Sequence, residues 1–568
     1  LDANSRLSIG CGRLGYRLSM ARRLAAMACL AYSQDTLMTN RRQAGRQSQG
    51  SLPTGFGKGQ NQVVKPVDWV APVGGWRTDV TLVEMPPTAA ATLINFFPET
   101  GFVRARNGSQ PWLVGLTTSV QTLMPYSGLA QKLFAAAGTG IYDATLAGAV
   151  GTSLFTVSNS YLSYTNFTNA GGHWLVCVNG SDTPFTYNGT TWATTAITGP
   201  ADPTKLFVVA NYRSRLWFLE KGTTNLWFLP TDGIAGAAQA VNLGDVLRFG
   251  GLPVAINTWT MQVTAGVQQV LCIMTSEGEL VIYTGSDPTT TTNWALMGTF
   301  KLPYPLGLDR SMYQIGGDLA IMTVEGIVPA SQAITLDPAA VGQAAMTKAI
   351  GPTWLKTVQS VGRNTVGWQF MTYPQKRMGI INVPDPALGV YQFVMNTESL
   401  AWTQFNALPA TSWATLSGSL YFGTAANGVW QADTGSSDGI NPIDCLSVGA
   451  WQRMGDGLGP KNTTLIGVDC IIDSNVGLYA GASFDYATTI PSALGVSNLS
   501  ISAANWDIGL WDIARWSGTS PARLIADAGG EGVAFAPTVR ALIRGNASIP
   551  SNCQILGGTI HVQPGSGI

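Results

Sequence analysis

An all-β fold, with a β-propeller of six to eight blades at its centre, is what this sequence predicts, and three observations predict it. Apolar strand segments joined by glycine turns recur seven times, starting at residues 133, 174, 216, 270, 319, 378 and 420. Their spacing of 41 to 59 residues matches the period of propeller blades, each a small sheet of several strands. Glycine and proline, 66 and 30 of 568 residues, place a turn former at about one position in six, which argues against long helices. Hydrophobic residues at 45% suffice for a packed core, while charged residues reach only 11% against about 25% in an average soluble domain. Such a weakly charged surface suits a subunit held against other subunits, and equally a secreted β-protein.

The recurring unit is legible residue by residue. Leu133–Ala137 meets the turn Gly138-Thr139-Gly140 and then Ile141-Tyr142; Trp174–Val178 meets Asn179-Gly180 and then Phe185–Tyr187. Leu216–Leu219 with Leu226–Phe228, Val270–Met274 with Leu280–Tyr283, and Leu319–Met322 with Ile327-Val328 follow the same plan. Met378–Val383 is a looser copy, and Leu420–Phe422 with Val429-Trp430 is the last. One hairpin cannot bury both of its faces. Stacking such units radially buries them, and closing the ring removes exposed edges. A pair of β-sandwiches is the competing arrangement, and the long period of about 45 residues separates the two.

The flanks read differently. Residues 1–66 form a basic, extended N-terminal arm: the first 50 residues hold eight Arg and two Asp, a charge of +6, so the remaining 518 carry −6 in a chain of net zero. The stretch 38–66 is rich in Gly, Gln and Arg with almost no apolar periodicity, and is expected to be disordered or ordered by a neighbouring chain. Arg22-Arg23 followed by a short apolar run to Tyr32 resembles a weak secretory signal, against which stands an upstream extension with Met38 near the natural start. Residues 67–119 are expected to be an N-terminal docking region. In it, Thr88 caps one helical turn over Ala89–Leu93, and Phe102–Arg106 alternates as a strand ending at Asn107-Gly108. The propeller is placed at 120–433, the Gly/Ser run 434–439 as a linker, and 441–568 as a C-terminal β-rich domain with Leu465–Ile472 as a buried strand. Trp506, Trp511 and Trp516 read as core or subunit contact ahead of a carbohydrate platform.

Little in the chain points to chemistry. Seven Cys, at 11, 29, 177, 272, 445, 470 and 553, are odd in number and lack C-x-x-C spacing, so neither a disulfide framework nor a zinc site is indicated. Only two His exist, His173 and His561. The one G-x-S-x-G match, Gly435–Gly439, lacks the strand before it and helix after it that a nucleophile elbow needs. No catalytic residue, cofactor or metal is expected. A mildly acidic body is also unlike a phosphate-gripping protein.

The stretch 71–108 carries a resemblance. It reads Ala71-Pro72-Val73-Gly74-Gly75-Trp76, then Met85-Pro86-Pro87, then Leu93-Ile94-Asn95-Phe96-Phe97-Pro98, and closes on Arg106-Asn107-Gly108. This resembles the N-terminal region of the tail nozzle (tail tubular B-like) proteins of short-tailed bacteriophages. Arg77 stands where that pattern often has Asn. The resemblance singles out Gly74, Gly75, Trp76, Pro86, Pro87, Asn95, Pro98, Arg106 and Gly108 as structural motif residues. It implies a virion protein of the tail, without catalytic residues, forming a six-fold ring of its own copies at the distal end. Such a ring docks on a tail adaptor, neighbours fibres or spikes, meets the host surface, and passes double-stranded DNA without sequence specificity. Arg213, Arg215, Lys376 and Arg377 are candidate local guides for that DNA, although Lys376 and Arg377 read first as a solvated turn. The alternative function is a secreted propeller that binds or hydrolyses glycans, with Trp217, Trp227 and Trp294 as platforms.

Overall fold

The computed structural model describes residues 65–564, apart from 264–265, 291, 427, 455–458, 474, 489–494, 497–519 and 546–548. Seven small antiparallel sheets follow one another along the chain, their first strands being Val120–Tyr126, Ser163–Asn169, Leu206–Tyr212, Pro253–Val263, Met312–Ile315, Gln369–Tyr373 and Ala410–Leu416. All seven first strands border one central channel. They are tied around it by hydrogen bonds: Leu162 N–H to Thr122 Oγ1 at 3.0 Å, Val209 N–H to Ser163 Oγ at 3.2 Å, Asn257 Nδ2 to the Met312 carbonyl at 3.1 Å, Gln369 Nε2 to the Trp413 carbonyl at 3.0 Å, and Ser412 Oγ to the Val120 carbonyl at 2.9 Å. The architecture is a seven-bladed β-propeller. Each glycine hairpin found in the sequence is the second and third strand of one blade, as in Lys132–Ala137 with Gly140–Asp143.

The hairpin glycines matter where the backbone demands them. Gly278 has φ +79°, and a Cβ there would sit 2.4 Å from the Leu302 carbonyl oxygen, so only glycine fits. Between blades the apolar faces interdigitate. Val120, Leu133 and Ala135 of blade one pack on Ala414, Tyr421 and Val429 of blade seven, and Phe167 and Val176 of blade two on Leu206 and Phe218 of blade three. This burial is the main stabilising term, at about 25 cal/mol per Å² of apolar surface.

Blade seven closes the ring with a strand from far upstream. Ser109–Val114 pairs antiparallel with Val429–Ala432, with Leu113 opposite Val429 and Ser109 opposite Ala432. The chain therefore enters the propeller before residue 120, and the two ends of the ring are held by hydrogen bonds across some three hundred residues. Blade five has three strands. Its third strand, Gly326–Pro329, is followed by an insertion containing the helix Gly351–Val361. Pro352 in the first turn sets that helix, Trp354, Val358 and Val361 bury one stripe, and Gly362 at φ +88° ends it.

The N-terminal and C-terminal flanks share one core. Phe96–Glu99, Phe102–Ala105, Cys553–Pro564, Lys461–Ile472 and Ser520–Gly532 lie side by side in one sheet, with Lys65–Val70 added along Cys553–Pro564. Ala89–Ile94, Asn441–Gly449, Ala534–Ile543 and Val476–Phe484 form a second run. Leu93, Val103, Cys445, Val468, Ala541 and Ile560 are buried together between them. Leu465–Ile472, read as a buried strand, lies within Lys461–Ile472.

Three sequence expectations are corrected. Ala89–Leu93 is not a helical turn but part of the strand Ala89–Ile94, because it lies between Gly75–Trp76 and Asn441–Gly449 and completes their pairing. The run 434–439 is not a solvated linker: Ser436, Ser437 and Asp438 are buried, and Ser437–Asp438 pairs with Asn441–Pro442. The arm expected over 1–66 ends sooner, because Lys65 and Pro66 already belong to the strand Lys65–Val70 and pair with Val562 and His561; residues 1–64, with the signal-like stretch, and Trp506, Trp511 and Trp516 lie outside the described residues.

Candidate functional site

Among the places where polar groups gather in the described residues are a junction where the flanks meet the propeller, and the propeller channel.

At the junction Arg106 follows the strand Phe102–Ala105 and points inward. Its guanidinium donates from Nε to Asn95 Oδ1 at 2.9 Å, from Nη1 to Asp438 Oδ1 and the Asn107 carbonyl, both at 3.0 Å, and from Nη2 to Asp438 Oδ2 at 2.5 Å and the Asn406 carbonyl at 2.9 Å. The side chains of the ion pair are 2% and 7% exposed. Ser109 Oγ adds a hydrogen bond to Asp438 Oδ1 at 2.9 Å. Every polar direction of the fork is used, which is the condition under which a buried charge is tolerated.

Asn95 takes a left-handed conformation, φ 56°, which turns the chain from Ala89–Ile94 into Phe96–Glu99. Its Nδ2 donates to the Asp444 carbonyl at 2.8 Å, and its Oδ1 also accepts from Asn406 N–H at 2.9 Å. One side chain thus binds blade six, the C-terminal sheet and Arg106. At Gly108 a Cβ would lie 2.1 Å from the Ser437 carbonyl oxygen, so glycine is needed for the backbones to approach. Gly75, φ +76°, lies against the backbone of Trp402 in the same way, and Gly74 N–H donates to the Thr88 carbonyl at 2.7 Å. Trp76 packs on Phe393 of blade six with ring centroids 5.7 Å apart. Pro98 offers its carbonyl to Asn396 Nδ2 at 2.8 Å. Pro86 and Pro87 stand apart, on the turn after buried Met85, where the Pro86 carbonyl accepts from Ala89 N–H.

Six of the nine motif residues therefore lie along the seam between propeller and flanks, while Gly74 bonds to Thr88 of the flank itself. Sequence reasoning missed their partners Asp438, Asn396 and Asn406. Asp438 stands 332 positions from Arg106 inside a Gly/Ser tract, and nothing local marks it.

The channel is a cavity of about 350 Å³. One end is plugged. The Tyr161 hydroxyl donates to Asp309 Oδ1 at 2.6 Å, Arg310 Nη2 donates to the Gln121 carbonyl at 3.0 Å and Thr122 Oγ1 at 2.9 Å, and the Arg310 guanidinium sits 4.3 Å from the Tyr161 ring centre. These residues join blades one, two and five. Burial pushes the Asp309 carboxyl above the ordinary range, against the opposing pull of Arg310 and the Tyr161 hydrogen bond. Tyr164, deeper in the wall, is pushed up to about 12 by burial.

The remaining candidates resolve individually. Trp217 is wholly buried and stacks on Trp294 at 5.1 Å; Trp227 donates to Glu220 Oε2 at 2.9 Å. Trp217 is a core residue, and its face is not available as a glycan platform. Pro374–Lys376 and Arg377 make the turn between two strands of blade six, where Arg377 pairs with exposed Glu398 at 2.6 Å and Lys376 approaches Asp433 at 4.0 Å. Arg213 forms a hairpin turn with Ser214, both at positive φ, and Arg215 pairs with Asp287 at 3.5 Å. Ser437 of the G-x-S-x-G match donates to the Gly439 carbonyl at 2.8 Å, while His561 lies in the strand Cys553–Pro564 opposite Pro66.

No protein-family model matches the chain, and no curated protein does. Among solved structures, it is similar to BBS1N in complex with ARL6DN at 10% identity and TM-score 0.36, over 58% of this chain and 98% of that one. It is similar to YCF48 bound to D1 peptide at 12% identity and TM-score 0.33, over 57% and 95%. At these values the likeness adds nothing to the reading of function.

Proposed function

We propose that this chain is the nozzle subunit of a short bacteriophage tail: a virion structural protein, without enzymatic activity, whose copies form a ring at the distal end. The observation that carries the reading is where the family-like residues lie. Asn95, Arg106 and Gly108 sit in one buried, fully hydrogen-bonded junction that fixes the flanks to blades six and seven. The resemblance thus falls on residues that set the architecture, where a chance match in a loop would not.

On this reading the ring has six copies, docks on a tail adaptor and carries fibres or spikes beside it. DNA would run between the copies and not through a propeller, since the propeller channel is plugged by Tyr161, Asp309 and Arg310. Each body from residue 51 onward carries −6, so a ring lumen favours sliding over gripping of phosphate. The basic arm would bind a neighbouring copy or the adaptor.

Electron microscopy and mass measurement of the full chain, alone and with an adaptor ring, test this. A closed six-fold ring is expected, weakened by deletion of residues 1–64. A monomer that turns over polysaccharide, with turnover abolished by one carboxylate substitution, overturns it. Strong DNA binding by the ring without its arm, falling steeply between about 50 and 200 mM salt, would show a lumen that grips phosphate.

A further inference from the structure

Blade four presents a cationic surface to solvent. Its hairpin turn, Ser276-Glu277-Gly278, is held by groups from three other segments. Arg363 Nη1 donates to the Ser276 carbonyl at 3.2 Å, Lys301 Nζ donates to the Glu277 carbonyl, and Leu252 N–H donates to Ser276 Oγ at 3.2 Å. Lys301 Nζ also lies 5.1 Å from the Phe249 ring centre and 5.5 Å from that of Tyr304, and the Arg363 guanidinium lies 4.4 Å from Tyr304. Phe249, Leu252 and Tyr304 are 53%, 41% and 44% exposed. Among the described residues, none of Arg248, Lys301 and Arg363 pairs with a carboxylate. Glu279, close to them, is wholly buried and accepts from the Arg248 and Phe249 N–H groups. Three cations against exposed-side Glu277 leave the patch positive.

The C-terminal sheet presents the opposite sign. Its strand Ser520–Gly532 turns Leu524, Ala526 and Ala528 into the core, while Ile525, Asp527 and Glu531 are exposed. Leu465 of the adjoining strand, also exposed, stands opposite Asp527, and Asp469 stands opposite Arg523. Asp485 lies against Gly532 at the strand end. Around this strand Asp469, Asp485, Asp527 and Glu531 outnumber Arg523 and Lys461, and Leu465 and Ile525 add apolar area.

We propose that these two surfaces bind each other between copies: the blade-four patch of one chain docks on the Ser520–Gly532 face of the next. This rests on the ring reading above and names the contact that builds the ring. Sign selects the occupant. Either surface set against itself on a second copy opposes like charges, which disfavours a two-fold contact. Patch against sheet pairs opposite charges and leaves every chain with one free surface of each kind. Such a head-to-tail contact propagates, and closes as a ring where the rotation allows. Exposed ion pairs contribute little alone; apolar area on both sides, Phe249 and Leu252 against Ile525 and Leu465, supplies the rest. Single-stranded nucleic acid suits the patch less well. A base stacks on a bare ring face, and Lys301 and Arg363 lie over the rings of Phe249 and Tyr304.

Charge reversal on each surface, in the full chain, tests the proposal. One variant carries Lys301→Glu and Arg363→Glu, the other Asp527→Lys and Glu531→Lys. By mass measurement and electron microscopy, each alone should self-associate at least about tenfold more weakly than wild type, with its circular dichroism unchanged. Mixed in equal amounts, the two should regain rings in which they alternate, because each reversed surface then meets its opposite. Rings formed equally well by wild type and both variants overturn this contact and leave the ring reading standing. A wild type that does not self-associate overturns both. Loss in each variant without recovery on mixing overturns the pairing of the two surfaces. So does binding of a single-stranded oligonucleotide by wild type that disappears with Lys301→Glu and Arg363→Glu while the rings persist.

Discussion

Replacing Arg106 by methionine tests whether the junction holds the flanks to the propeller. The substitution keeps much of the side-chain volume but leaves Asp438, only 7% exposed, with Ser109 as its remaining donor in this network. Five hydrogen bonds supplied by the guanidinium vanish: two at Asp438 and one each at Asn95, Asn107 and Asn406. Removing one member of a buried ion pair costs about 3–5 kcal/mol, mostly the penalty of the charge left behind. With a denaturant slope of about 3 kcal/mol per molar urea, that is a fall in midpoint of about 1 M or more. Urea unfolding followed by tryptophan fluorescence reads it. Adding Asp438→Leu to Arg106→Met should recover part of the loss, since an apolar pair of similar volume replaces the stranded charge. A single variant that loses less than about 1 kcal/mol, the level of an exposed pair, would refute the reasoning.

Gly108→Ala forces a Cβ to within 2.1 Å of the Ser437 carbonyl oxygen; it should destabilise by at least about 1–3 kcal/mol and raise hydrogen exchange in 434–439. Trp217→Ala, emptying a wholly buried site between blades three and four, should cost about 3–5 kcal/mol, measured by the same urea titration. Burial raises the Asp309 carboxyl against Arg310 and Tyr161, so the folded chain keeps that proton to higher pH than the unfolded one. Its stabilising contribution is present below the ordinary carboxylate pKa and is lost as pH rises through the raised value. Thermal unfolding from about pH 4 to 7 should show wild type losing stability relative to Asp309→Asn; a constant difference would contradict the assignment.

The amino-acid sequence by itself determined the repeating unit. Alternating apolar strands and glycine turns are local properties: a turn such as Glu277-Gly278 needs positive φ wherever it occurs, and strands such as Val270–Met274 must be buried on both faces. Such hairpins announce a propeller of six to eight blades, and the count of seven comes from the structure. What only the tertiary structure decided is how the ring closes and what the ends do. Nothing local marks Ser109–Val114 as the closing strand, and its partner Val429–Ala432 lies far away. Ala89–Ile94 has a composition that favours a helix, yet backbone pairing with Asn441–Gly449 holds it extended. Asp438 sits in a stretch whose glycines and serines suggest solvent, and the Arg106 fork draws it inside. In each case the deciding bond joins residues hundreds of positions apart, and its energy depends on burial that no local pattern encodes. The channel has the same origin: Tyr161, Asp309 and Arg310 become one plug only because blades two and five face each other across the axis.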